Sequence, residues 1–136
     1  MKILLAYVPS ATSEAAFEYA VAEAAAHGGE LLVLASESSG VARKDRAVTD
    51  RRPLTERLDE TGLEYTIRTV PRRDDPADDI LRAVRDDAVD LVVMGIRKRT
   101  PIGKILVGST SQRVVMEAPC PVVLVKPKDF VQPQGF

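Results

Sequence analysis

At 136 residues, the chain is long enough to bury one substantial core and too short for several domains. A hydrophobic content of 45% beside 29% charged residues excludes a disordered chain, and a formal net charge of -1 leaves no overall field to draw it onto nucleic acid or anionic lipid. The single cysteine, Cys120, excludes an intrachain disulfide and fits a reducing compartment; with no apolar run long enough for a signal peptide or a membrane span, a soluble cytoplasmic protein is expected.

Ile3 to Val8 is a continuous apolar run, the mark of a strand covered on both faces in a parallel sheet. Pro9 and Ser10 stop it, and Thr12 or Ser13 is placed to cap the next helix, with Glu14 near its positive end. From Glu14 to His27 the residues favour a helix with Phe17, Ala20, Val21 and Ala24 on one face, ended by Gly28-Gly29. His27 there suits the negative end of the dipole. Leu31 to Leu34 reads as a second buried strand, Ser36 to Val48 as a polar mobile loop, and Asp50 to Thr61 as a shorter amphipathic helix that Gly62 ends.

Leu63 to Val70 begins with apolar and polar residues in alternation, which predicts a strand with one wet face at the edge of the sheet. Asp75-Pro76 supplies a cap and a first-turn proline for a helix running to about Ala88, with Ile80, Leu81 and Val84 inward. The acidic pairs Asp74-Asp75, Asp78-Asp79 and Asp86-Asp87 flank this helix beside Arg82 and Arg85, so exposed charge and capping explain them before catalysis or metal binding does. Leu91 to Met94 is the fourth strand. Ser109, with Gln112 three residues on, predicts a capping box for a last helix through Glu117. Pro121 to Val125 is the fifth strand, Lys126 to Phe136 a Pro- and Gln-containing tail, and Cys120, between two prolines, a buried structural thiol.

Strands alternating with helices predict an α/β fold, a single doubly wound parallel sheet with helices on both faces. Ligands of such sheets lie beyond the C-terminal ends of the strands, where the strand order reverses. Residues after Val8, Leu34 and Met94 are therefore the candidates. Between Gly95 and Gly108 stand Arg97, Lys98, Arg99 and Lys104 and no acid. A strand leaving through glycine and a helix opened by Gly-Ser together suit an anion. The same basic run also reads as a solvated loop, and no aromatic residue accompanies it, so nucleic acid is not favoured. The one histidine, His27, stands at a helix end and offers no sign of a Ser-His-Asp arrangement, and a single histidine excludes a histidine-rich metal site; no catalytic residue and no metal ligand is assigned.

Gly95, two residues, position 98, nine residues, then Gly108-Ser109 resembles the nucleotide loop of the universal stress protein family. Ala118-Pro119-Cys120-Pro121-Val122-Val123-Leu124-Val125 resembles that family's last strand. The resemblance runs from Lys2 to about Lys126, so a domain over residues 1–126 and a tail over 127–136 are expected. It implies the adenine nucleotide alpha hydrolase-like fold, strand order 3-2-1-4-5, and a homodimer formed along Val122, Val123, Leu124 and Val125. It also implies nucleotide or anion candidates at Ala6, Tyr7, Val8, Ser10, Met94, Gly95, Lys98, Gly108, Ser109 and Thr110.

Two positions depart from the ATP-binding pattern: Lys98 stands in place of glycine, and Val8 in place of an aspartate that would face the nucleoside. A lysine Cβ obstructs the close approach that glycine allows, although its ammonium supplies a point charge. The Val8 side chain accepts no hydrogen bond and anchors no hydrated magnesium. A lost charged hydrogen bond costs about 1.5–3 kcal/mol, enough to move a micromolar site, worth about 8 kcal/mol, toward millimolar. The expectation is thus a non-catalytic, dimeric stress-response module with a degenerate nucleotide or anion site, weakened for ATP, whose protein partner is unknown. Two alternatives stay open: an ATP-binding switch using Gly95, Lys98, Gly108 and Ser109, and an enzyme acting on an adenylate.

Overall fold

The computed structural model describes residues 1–7, 11–36, 53–71, 76–96, 98–99, 105–128 and 130; for 11, 12, 36, 98, 99, 105 and 106 the description is of the backbone alone. In chain order the elements are β1 (Lys2–Tyr7), α1 (Ala11–His27), β2 (Glu30–Ser36), α2 (Leu54–Asp59), β3 (Tyr65–Val70), α3 (Ala77–Asp86), β4 (Leu91–Gly95), β5 (Lys98–Arg99), β6 (Ile105–Leu106), α4 (Ser109–Glu117) and β7 (Val122–Val125). The main sheet has the order β3-β2-β1-β4-β7 with every pairing parallel. Counted by its own five strands this is 3-2-1-4-5, as expected, with β3 at one edge.

The pleat divides the core in two. Ile3, Leu5, Tyr7, Leu31, Val33, Leu91 and Val93 face one side, where Ala16, Phe17, Ala20 and Ala24 of α1 and Leu58 of α2 cover them. Leu4, Leu32, Leu34, Val92 and Met94 face the other, under Ala77, Ile80, Ala83 and Val84 of α3 and Val114 of α4. The central strands are therefore apolar throughout residues 3–6, 31–35 and 91–94, because both of their faces are roofed there. α1 ends as expected at Gly28, whose φ of 63° is left-handed. Gly29 is required for a different reason: a Cβ there would stand 2.8 Å from the Met1 carbonyl, which accepts the Glu30 N–H at 2.9 Å and starts the β1–β2 ladder.

Several local expectations are corrected. α1 begins at Ala11, so Thr12 and Ser13 lie in its first turn and neither is the cap; Ser13 is buried. α3 starts after Pro76, which occupies the cap position without a side-chain hydrogen bond, and the chain turns out of the helix before Ala88, at φ 52°. Asp75, Asp74 and the loop read over Ser36 to Val48 lie outside the described residues, apart from Ser36 itself. The acidic pairs are not uniformly exposed, since Asp79 is buried beneath α3. Asp78 pairs with Arg113 of α4 at 2.6 Å, and Asp87 with Arg68 of β3. The Asp79–Arg82 contact, at 4.0 Å, is of the local kind expected. Cys120 is half-buried against the α3/α4 core, and burial pushes its thiol above the ordinary value.

The Arg68–Asp87 contact ties the sheet's edge strand to the end of α3 by two hydrogen bonds of 2.7 and 3.0 Å. Those bonds hold the Asp87 carboxyl below its usual range. A depressed carboxyl contributes stability above its unfolded value, about 3.9, and loses it as pH falls through the folded value. The denaturation midpoint of Arg68→Met is therefore expected to lie below that of the wild type at neutral pH. The two should converge below about pH 4, and urea titrations across that range test this.

Candidate functional site

Strands β1, β2 and β3 follow one another outward in one direction and β4 and β7 in the other, so the order reverses between β1 and β4. Their pairing, Ile3↔Leu91 through Leu5↔Val93, brings the C-terminal ends of both strands to one edge. Ala6 and Tyr7 end β1; Met94 and Gly95 end β4. Gly95 lies opposite Val125, and the next N–H, of Ile96, donates to the Val125 carbonyl at 2.9 Å. The basic segment then forms an antiparallel ribbon that sequence reasoning did not foresee, with Lys98 opposite Leu106 and Arg99 opposite Ile105. A two-residue strand has too little pattern to be read from sequence.

Gly108 is the N-cap of α4, extended at φ -70° and ψ 167°, and makes no side-chain capping bond. Ser109 is thus the first helical residue and is exposed, and Thr110, half-buried, is the second. The expected capping box does not form, because a box needs its hydroxyl at the cap position, and that position is a glycine. Gln112 instead donates its side-chain N–H to the Val107 carbonyl at 3.2 Å and its backbone N–H to the Gly108 carbonyl at 2.9 Å. Among the described residues no atom would stand within 4 Å of a Cβ at Gly108, and the first turn of α4 has no acidic residue. Open space at a helix N-terminus without a competing carboxylate is compatible with an anion.

The edge residues divide between the two faces of the sheet. Ala6 and Met94 pack toward α3 and α4, and Tyr7 toward α1 and α2. Val8 and Ser10 lie outside the described residues, and of Lys98 only the backbone is described.

Tyr7 leads to a cluster that sequence reasoning missed. Its hydroxyl donates to Glu14 Oε1 at 3.0 Å and accepts from Arg57 Nη1 at 3.1 Å. Arg57 also donates from Nη1 to Glu14 Oε1 at 3.0 Å and from Nη2 to Glu14 Oε2 at 2.6 Å. Tyr7, Glu14 and Arg57 are 6%, 7% and 7% exposed, so this ion pair is withdrawn from water. The guanidinium lies 4.4 Å from the centre of the Phe17 ring, which itself meets Tyr7 edge-on. Burial, followed by the Glu14 charge and hydrogen bond, pushes the Tyr7 phenol up to about 12. Burial opposes the Arg57 charge, but the bonds and charge of Glu14 outweigh it and raise the guanidinium above its ordinary value. The available signal was register: Leu54, Arg57 and Leu58 share one helical face, which puts an arginine where a core residue belongs.

Among the described residues, no group of three His, Cys, Asp or Glu is placed to hold a metal, and no helix is long and apolar enough to cross a membrane. The model of the Universal stress protein family matches residues 1–126. The chain belongs to the universal stress protein family. A universal stress protein of Thermus aquaticus is 38% identical over 135 residues, covering 91% of this chain and 97% of the relative. One of Mycolicibacterium smegmatis is 33% identical over 131 residues, covering 94% and 99%. Among solved structures, a universal stress protein from Archaeoglobus fulgidus superposes with a TM-score of 0.70 at 29% identity, covering 93% of this chain and 98% of that one. A universal stress protein structure from the same organism, in complex with dAMP, gives a TM-score of 0.66 at 25% identity over 93% and 98%.

Proposed function

We propose that this universal stress protein is a non-catalytic, dimeric stress-response module whose ligand edge is an adenine-nucleotide site of weakened affinity. The observation that carries the reading is the combination of Gly95 at the end of β4 with a glycine-capped helix start at Gly108, where no atom of the described residues would meet a Cβ. The Archaeoglobus relative in complex with dAMP supports an adenine nucleotide as the ligand class. Gly95, Gly108, Ser109 and Thr110 would serve the phosphates through backbone N–H groups and the helix dipole, and Lys98 would add a point charge. Two features weaken the site. Val8 offers the nucleoside no acceptor and magnesium no anchor, and Lys98 brings a Cβ to a position where a phosphate needs bare backbone.

Thermal unfolding with ATP, magnesium and dAMP tests the reading. For a millimolar dissociation constant, ligand at about 1 mM adds roughly 0.4 kcal/mol, which moves the midpoint by about 1–2 °C in a chain of this length. Saturation a hundredfold above Kd would add about 2.7 kcal/mol and roughly 10 °C; a shift that large would favour the ATP switch. No shift with any adenylate would remove the nucleotide reading and turn the search to protein partners.

Dimerisation through β7 is part of the same proposal. β7 is the outer strand beyond β4, and Val122, Val123, Leu124 and Val125 are each half-buried. Val115 and Met116 of α4 are 47% and 83% exposed. A bare apolar edge invites pairing, and a second copy running antiparallel would cover it. Phe130, whose N–H donates to the Pro127 carbonyl at 3.0 Å, would lie near the seam; Val131 is outside the described residues. Sedimentation at micromolar protein is expected to show a dimer, and a monomer independent of concentration would sink this part.

A further inference from the structure

α2 is six residues long, too short to stay helical by its own hydrogen bonds. Its place is set by what it buries, Leu58 and Arg57, together with an exposed hydrogen bond from the Tyr65 hydroxyl to Asp59. Through Arg57 it reaches the last residue of β1 and the first turn of α1, so three elements meet at the Glu14 carboxylate. A buried ion pair adds little net stability relative to apolar groups of the same volume. It does impose direction: two N–H···O bonds between planar groups fix distance and angle together. Phe17 covers one face of the guanidinium.

We propose that Glu14 and Arg57 are positioning residues of the ligand edge, holding the end of β1 and the first turn of α1 in a fixed relation to α2. The consequence for binding rests on the nucleotide reading above; the consequence for the backbone does not. A double variant separates positioning from stability. In Glu14→Gln with Arg57→Met, glutamine keeps an acceptor for the Tyr7 hydroxyl, methionine keeps apolar volume against Phe17, and neither charge of this pair is left buried without the other.

The unfolding midpoint of this variant is expected within a few degrees of the wild type. Amide exchange at residues 57–59 of α2 and 15–17 of α1 is expected to accelerate about tenfold, while Leu32 and Val92 in the central strands exchange as before. Calorimetric affinity for dAMP is expected to fall about tenfold. Unchanged exchange in α1 and α2 would overturn the proposal whatever the ligand does. Changed exchange with unchanged dAMP affinity would overturn the role at the ligand edge. A wild type that binds no dAMP would remove the nucleotide reading instead, and exchange alone would then decide. Should the double variant fail to fold, Arg57→Lys keeps the charge but not the two-bond geometry and is read by the same exchange, with acceleration at the same amides supporting the proposal and none overturning it.

Discussion

Arg57→Ala is expected to destabilise the protein by about 3–5 kcal/mol, because it leaves the Glu14 carboxylate buried without its counter-charge. In a chain of this length that lowers the unfolding midpoint by roughly 10–20 °C. Several losses coincide at this residue. Glu14 loses the bonds at 3.0 and 2.6 Å, the Tyr7 hydroxyl loses a donor, and the Phe17 ring loses the cation above it. The comparison that makes the result specific is Arg68→Ala. Arg68 also makes two bonds to a carboxylate, but its side chain is 43% exposed, and pairs of that kind are worth about 1 kcal/mol or less. Chemical denaturation of the two variants side by side is the measurement. A loss at Arg57 no larger than that at Arg68 would mean that water reaches Glu14 and that the cluster is not closed.

Val8→Asp combined with Lys98→Gly is expected to strengthen ATP binding by about 1.5–3 kcal/mol, the worth of one charged hydrogen bond, or roughly 10- to 150-fold in Kd. Aspartate at the end of β1 would accept from the nucleoside and offer an anchor for hydrated magnesium, and glycine at 98 would admit a phosphate to the backbone. Titration calorimetry with ATP and magnesium reads the change. Each single substitution should give part of it, since in the proposed reading one serves the nucleoside and the other the phosphates. An unchanged affinity would overturn the proposal that Val8 and Lys98 weaken the site, with the ribbon of Lys98–Arg99 against Ile105–Leu106 the next place to look.

The elements that could be read in advance were those whose signal is long or local. The strands Leu31 to Leu34 and Leu91 to Met94 were legible as apolar runs, and the face of α1 as Phe17, Ala20 and Ala24 at helical spacing; both are in the core. Gly28 was legible because a left-handed stop needs glycine. Helix starts were less so. Ser109 carries the residue type of a cap but sits one place inside α4, since a glycine in extended conformation can end the preceding chain equally well. The carboxylates flanking α3 were assigned to their sequence neighbours, whereas Arg113 and Arg68 reach Asp78 and Asp87 from other elements.

By itself the sequence determined the alternation of strands and helices and the two-sided burial of the sheet, because periodicity and glycine placement are properties of neighbouring residues. Only the tertiary structure decided that Glu14, which suits a helix dipole, is instead the centre of a buried cluster with Tyr7 and Arg57. Arg57 is 43 positions from Glu14 and 50 from Tyr7. No local pattern encodes such a meeting: it exists because the parallel sheet carries the chain back past β1, and because a charge enclosed there must find its opposite within hydrogen-bond reach.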